Sequence, residues 1–176
     1  NIKNVFPLPC VVAINAFPTD TQAELDLLHE ICKAKGVDVA ISQVWAKGGE
    51  GGIELAEKLL NVLETKESNY HPMYELELPI SQKIETIAKE IYGADGVVFT
   101  KKVQTKMKKY AEQGLGNLPI CVAKTQYSLS DDPTLLGRPN GFEVTIQDLI
   151  PNTGADIANI GAMYYPKAVD IALHNN

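Results

Sequence analysis

The sequence predicts an α/β fold with largely parallel sheets built from βαβ units. Short, continuous apolar runs of the kind buried on both faces recur along the chain, and amphipathic helical stretches separate them. Strands alternating with helices form βαβ units, whose strands lie parallel and whose crossovers are right-handed. The composition agrees: of 176 residues, 45% are apolar and 22% charged, the balance of a globular chain able to bury a core.

Pro9 to Asn15 is the first apolar run and is expected to be a strand covered on both faces. A helix start follows at Thr19-Asp20-Thr21, where Thr21 and Glu24 have capping-box spacing. Leu25, Leu28, Ile31 and Cys32 give that helix its apolar stripe, and Gly36 stops it. Val37 to Ser42 reads as the second strand. A glycine-rich loop then leads to a helix from Ile53 to Leu63, with Leu55, Leu59 and Leu60 inward. The polar stretch from Thr65 to Pro72 marks a boundary. It divides a βαβα subdomain over 1–66 from a second α/β subdomain over 73–176.

In the second subdomain, Tyr74 to Leu78 alternates like an edge or antiparallel strand. Ser81 to Tyr92 is a helix, with Ile80, Ile84, Ile87, Ala88 and Ile91 on one face and Gly93 after it. Gly96 to Thr100 is a strand. Val103, Met107, Tyr110 and Ala111 mark a basic helix that ends at Gly114. Pro119 to Lys124 is a strand again, and Phe142 to Ile150 reads as one further strand. Beyond Pro151 no pattern stands out.

Several function classes are disfavoured. A formal net charge of −6 suits a nucleic-acid binder poorly. No apolar run approaches the roughly 20 residues of a membrane helix. Cys10, Cys32 and Cys121 are widely spaced and odd in number, and are expected as buried free thiols in a reducing, intracellular setting. With His29, His71 and His174 they form no metal-ligand spacing, so no metal site is expected. The start, Asn1-Ile2-Lys3-Asn4, has neither a signal-peptide pattern nor an initiator methionine, as in a piece cut from something longer.

In open α/β sheets, ligands bind outside the carboxyl ends of the strands. Phe17 follows the first strand and Trp45 the second, so both rings belong to one sheet edge. Two such rings clamp a flat, anionic heterocycle if they face each other across a slot, or else they cap the core; position alone leaves both open. Lys47, Gly48, Gly49 and Gly51 precede a helix start, where amides and a lysine suit an anion, though a flexible turn explains the glycines equally. In the loop after the Pro119 strand, Lys124, Ser130, Asp131 and Pro133 sit among turn formers. Asp131 and Asp132 either make turns or assist a magnesium-bound nucleotide. No G-x-x-x-x-G-K-[ST] phosphate loop occurs, and no nucleophile has a histidine in a comparable loop.

Three motifs together resemble formate–tetrahydrofolate ligase, also called 10-formyltetrahydrofolate synthetase. They are Val12 to Thr21, Trp45 to Gly52 and Ala123 to Pro133, in the family's order and at about its spacing. The likeness spans about residues 1–150 and corresponds to the carboxyl-terminal part of a family member. It implies a place within a larger P-loop-type ligase that uses MgATP, formate and tetrahydrofolate, with formyl phosphate as intermediate.

By resemblance, Phe17 and Trp45 hold the pterin, Pro18 shapes the pocket, and the Lys124-to-Pro133 loop lies near the nucleotide. The phosphate loop and the basic residues for formate belong to the family's amino-terminal portion, so this chain alone is expected to be inactive. A cytoplasmic homo-oligomer is implied for the parent enzyme. The tail departs from the family pattern at Gly154-Ala155-Asp156-Ile157 and at Met163 to Lys167. The rival expectations are a folate-binding module without chemistry and a purely structural domain.

Overall fold

A computed structural model describes residues 1–154 and 157–161. Ala155, Asp156, the Met163-to-Lys167 run and His174 lie outside the described residues. The chain divides into two compact units, Asn1–His71 and Pro72–Asn176.

The first unit runs β1 (Val11–Asn15), α1 (Gln22–Ala34), β2 (Asp38–Ser42), α2 (Val44–Lys47), a 3-10 turn (Gly48–Gly52) and α3 (Ile53–Thr65). β1 and β2 pair in parallel, from Val11 against Asp38 to Asn15 against Ser42. Thr21 starts α1 as the sequence predicts. Its hydroxyl accepts the Glu24 N–H at 3.3 Å, and the Glu24 carboxylate accepts the Thr21 N–H at 2.8 Å. That backbone bond and a second bond from the Thr21 hydroxyl hold the Glu24 carboxyl below the usual carboxylate range. Gly36 closes the helix at φ +63°. The Lys3 ammonium then donates to the Lys35 and Gly36 carbonyls at 2.9 and 3.1 Å, near the helix end where carbonyls lack partners.

The expected covering of β1 on both faces is not what the fold provides. Ile14 is buried, but Val12, Ala13 and Asn15 are exposed; among the described residues β1 pairs with β2 alone, a sheet too small to be covered on both faces. The inward face of α3 is also corrected. Val62 is buried and Leu55 half-buried, while Leu59, Leu60 and Leu63 are exposed. Two strands about 4.8 Å apart make a floor no wider than one helix of about 10 Å diameter, so the flanks of the apolar arc overhang it.

The second unit holds α4 (Ile80–Ile87), extended by a π-helical turn (Ala88–Tyr92), then β3 (Gly96–Phe99) and α5 (Lys101–Glu112). β4 (Ile120–Ala123), β5 (Glu143–Ile146), β6 (Asp148–Asn152) and β7 (Ile157–Gly161) complete it. β3 pairs with β5 and β4 with β7, both in parallel, while β6 runs antiparallel to β7. The architecture is therefore mixed α/β, with small and mostly parallel sheets. Ile80, Ile84, Ala88, Val103, Phe142, Val144, Ile146 and Leu149 form the core. Fully burying a large apolar side chain is favourable by about 1.5–3 kcal/mol, so this cluster is a major source of the unit's stability.

Two strand expectations fail here for physical reasons. Phe142 to Ile150 is two strands, because inward positions run 142, 144, 146 and then 149, and the slip at Gln147 moves the chain from one sheet to another. Tyr74 to Leu78 is a turn, with the Leu78 N–H on the Glu75 carbonyl at 3.2 Å. The polar groups of that segment are taken elsewhere. Tyr74 Oη accepts the Ile120 N–H at 3.0 Å, and the Leu76 carbonyl goes to Lys83.

Lys83 is fully buried (0% exposed) and donates to the carbonyls of Leu76, Gly116 and Leu118 at 3.0, 2.6 and 2.8 Å. Burial pushes its ammonium below the ordinary lysine range. On α5, Lys102 and Lys106 converge on Asp148 at 2.8 and 2.5 Å. Cysteine burial is a further correction: Cys10 and Cys32 are half-buried and Cys121 is exposed, all three as free thiols. No helix among the described residues is long and apolar enough to cross a membrane.

Candidate functional site

β1 and β2 deliver their next residues to the same sheet edge because the pair is parallel and in register through Asn15 and Ser42. The Ala16 N–H donates to the Ser42 carbonyl at 3.0 Å, carrying the ladder one step further. The chain then turns at Phe17-Pro18-Thr19-Asp20, closed by the Asp20 N–H on the Phe17 carbonyl at 3.0 Å. Pro18 occupies the second turn position, where its fixed φ is preorganised, so it has a local structural role in addition to any contact with a ligand.

Trp45 does not lie on an irregular loop as the sequence suggests. It sits in α2, a single helical turn directly after β2. Its indole Nε1–H reaches back across 29 residues of chain to the Ala16 carbonyl at 2.7 Å. The Phe17 and Trp45 rings stack, with centroids 5.8 Å apart and planes 19° from parallel. Each remains about half exposed, at 50% and 51%. A flat ring sandwiched between two others needs roughly 7 Å, two contacts of about 3.5 Å each. The pair as it stands is thus closed on itself, facing in the orientation of a clamp but nearer than a sandwich requires.

The glycine run folds as a 3-10 turn, and its residues are not equivalent. Gly48 adopts φ +59°. A Cβ on Gly51 would fall 2.5 Å from the Gln43 carbonyl carbon and oxygen, and the Gln43 N–H donates to the Gly51 carbonyl at 3.0 Å. Gly51 therefore allows a backbone-to-backbone approach that seats the turn against the end of β2. Gly49 has open space around it. The Lys47 ammonium donates to Gln43 Oε1 at 2.6 Å, within the same turn. These contacts account for the glycines at 48 and 51 without a bound anion.

In the second unit, the loop after β4 is knitted together by its own polar groups. The Lys124 ammonium donates to the Thr125 carbonyl at 3.0 Å and to the Ser128 carbonyl, and lies 5.1 Å from the centre of the Tyr92 ring. Burial pushes Lys124 below the usual lysine range, and nearby Asp131 opposes that in part. Burial also raises the Tyr92 phenol, with Cys121 adding to the effect.

Ser130 is wholly buried. Its hydroxyl meets Ser128 Oγ at 2.8 Å, donates to the Asp132 carbonyl at 3.0 Å and accepts the Asp132 N–H at 3.1 Å. Asp131 accepts the Thr145 N–H at 2.8 Å. Asp132 accepts from the Thr134 hydroxyl and N–H at 2.6 and 2.8 Å, and those bonds keep its carboxyl low. Pro133 is exposed. These bonds tie the loop together and, through Asp131, to β5.

Of the residues that the sequence groups at this edge, the Phe17 and Trp45 rings lie face to face, and Pro18 follows Phe17 in the same turn. Sequence reasoning missed Asp20 as the acceptor that closes the Phe17 turn, although a carboxylate three residues after the aromatic is a legible turn pattern. Tyr92 beneath Lys124 carried no local sign, since the two are far apart in sequence. A family model described as formate–tetrahydrofolate ligase matches residues 1–164.

Proposed function

The chain belongs to the formate–tetrahydrofolate ligase family, and from that premise we propose that its first unit binds the pterin of tetrahydrofolate between Phe17 and Trp45. The observation that carries the proposal is the facing ring pair at 5.8 Å on successive crossover turns. Parting the rings forfeits one aromatic contact, worth about 0.5–1.5 kcal/mol, and inserting a pterin makes two of the same kind. Burial of the half-exposed ring faces adds to the gain. The closed pair is thus compatible with a site that opens only for a flat ring.

The full reaction in this proposal is ATP-dependent: formyl phosphate forms from formate, and the N10 amine of tetrahydrofolate then attacks its carbonyl carbon. A carbon–nitrogen bond forms and phosphate leaves. This chain contributes binding and orientation of the amine-bearing substrate, which lowers the entropic part of the barrier. The loop from Lys124 to Pro133 is proposed as a wall beside the nucleotide, since Lys124, Ser130 and Asp131 each bond protein groups that hold the loop in place. With no phosphate loop in its sequence, the chain by itself is expected to release no ADP in response to formate. The proposal extends to a cytoplasmic, homo-oligomeric parent enzyme.

The chain has a single tryptophan, so the test is direct. Tetrahydrofolate should quench Trp45 emission, and Phe17→Ala should abolish the effect. The rings' mutual contact also favours a second reading, in which they merely cap the turns. Absence of quenching at millimolar tetrahydrofolate would select that second reading.

A further inference from the structure

The two rings are held by different means. Trp45 is anchored through its own Nε1–H to the Ala16 carbonyl at 2.7 Å. The Phe17 ring has no polar atom, so its direction depends on the backbone that carries it. That backbone is fixed by two reciprocal bonds. The Phe17 N–H donates to Asp20 Oδ2 at 2.7 Å, and the Asp20 N–H donates to the Phe17 carbonyl at 3.0 Å.

The Asp20 carboxylate is not needed by the helix that follows, because Thr21 and Glu24 cap α1 between them. Nor does it pack in the core, since Asp20 is exposed. Its one bond to another residue's backbone is to the Phe17 N–H, among the side-chain bonds of the described residues. We propose that Asp20 is a positioning residue for tetrahydrofolate: its carboxylate sets the Cα–Cβ direction of Phe17 so that the ring faces Trp45. This inference rests on the ring pair being the pterin site. Asp20 acts through the Phe17 backbone and takes no part in bond making.

Replacement can separate geometry from charge. Asp20→Asn keeps an acceptor oxygen at the same reach, Asp20→Glu displaces it by one carbon, and Asp20→Ala removes it. Each variant is titrated with tetrahydrofolate by Trp45 quenching, and its urea unfolding midpoint is measured alongside. Loss of one hydrogen bond of about 0.5–1.5 kcal/mol corresponds to a roughly two- to twelvefold change. The dissociation constant should therefore rise by up to about that factor in the Ala and Glu variants, with midpoints lowered by no more than about 0.3–0.8 M, while the Asn variant matches wild type in both.

Wild-type affinity in both the Ala and Glu variants would overturn the proposal. So would an Asn variant as weak as the Ala variant, since charge and not acceptor geometry would then be at work. If Asp20→Ala fails to fold, the contrast between Glu and Asn decides the same question. Failure of the wild-type chain to bind, by quenching and by calorimetry, would remove the folate reading itself and this inference with it.

Discussion

Replacing Gly51 by alanine should be the most damaging single change in the glycine run. The added Cβ would lie 2.5 Å from two backbone atoms of Gln43 and 2.8 Å from the Val44 nitrogen. Ordinary contact begins near 3.5 Å, so the turn must retreat by about 1 Å. All three atoms are backbone, and no side-chain rotation relieves the overlap. Overpacking of this kind costs about 1–3 kcal/mol, and loss of the Gln43 N–H bond to the Gly51 carbonyl adds about 0.5–1.5. A total near 2–4 kcal/mol is expected.

The neighbours calibrate that figure. Gly49→Ala enters open space and should be neutral or slightly stabilising. Gly48→Ala, at φ +59° and ψ −141°, a conformation close to glycine-only, should cost about 1–3 kcal/mol. Gly52→Ala meets only a Val44 methyl at 2.9 Å, which can turn aside, so its cost should be small. Urea unfolding followed by Trp45 emission gives the ranking. With a slope of about 2 kcal/mol per M, the Gly51 variant should lose about 1–2 M of midpoint. Because Gln43 and Val44 lead directly into Trp45, tetrahydrofolate quenching should weaken as well. A Gly51→Ala midpoint equal to that of Gly49→Ala would refute the steric reasoning.

In the second unit, Lys83→Met keeps the aliphatic stem but strands the carbonyls of Leu76, Gly116 and Leu118. At about 1 kcal/mol for each stranded group, the loss should be near 3 kcal/mol in far-UV circular dichroism unfolding; a loss under about 0.5 would contradict it. Asp148 titrates near 2: burial would raise it from 3.8, and bonds from Lys102, Lys106 and the Leu149 N–H outweigh that. A folded-state value below the unfolded one stabilises above pH ~4 and is lost as pH falls toward 2. Asp148→Asn should therefore flatten the decline in stability between about pH 4 and 2, and an unchanged acid profile would count against the bridge.

Local chemistry was the legible part of this sequence. Thr21 with Glu24, Gly36 and Gly93 announced their helix boundaries because capping and left-handed turns depend on neighbours a few residues away. Trp45 beside Phe17 was legible through topology, since parallel strands deliver successive turns to one edge. The errors were of another kind. Tyr74 to Leu78 has strand-like alternation, but Lys83 claims the Leu76 carbonyl and Ile120 claims the tyrosine oxygen. The register slip at Gln147 appears only once the partners of β5 and β6 are known. Burial of Cys121, Leu59 and Leu60 was overstated because apolarity shows what could be covered, not whether enough surface exists to cover it.

Leu59, Leu60 and Leu63 stand on adjoining positions of α3 with their methyl groups in water. Full enclosure of a leucine is favourable by about 1.5–3 kcal/mol, so the helix keeps an unspent capacity for association along one flank. Whatever encloses these side chains would release their hydration water, and the event would register as a negative change in heat capacity, growing weaker on cooling. Temperature, more than ionic strength, should then govern how this surface behaves.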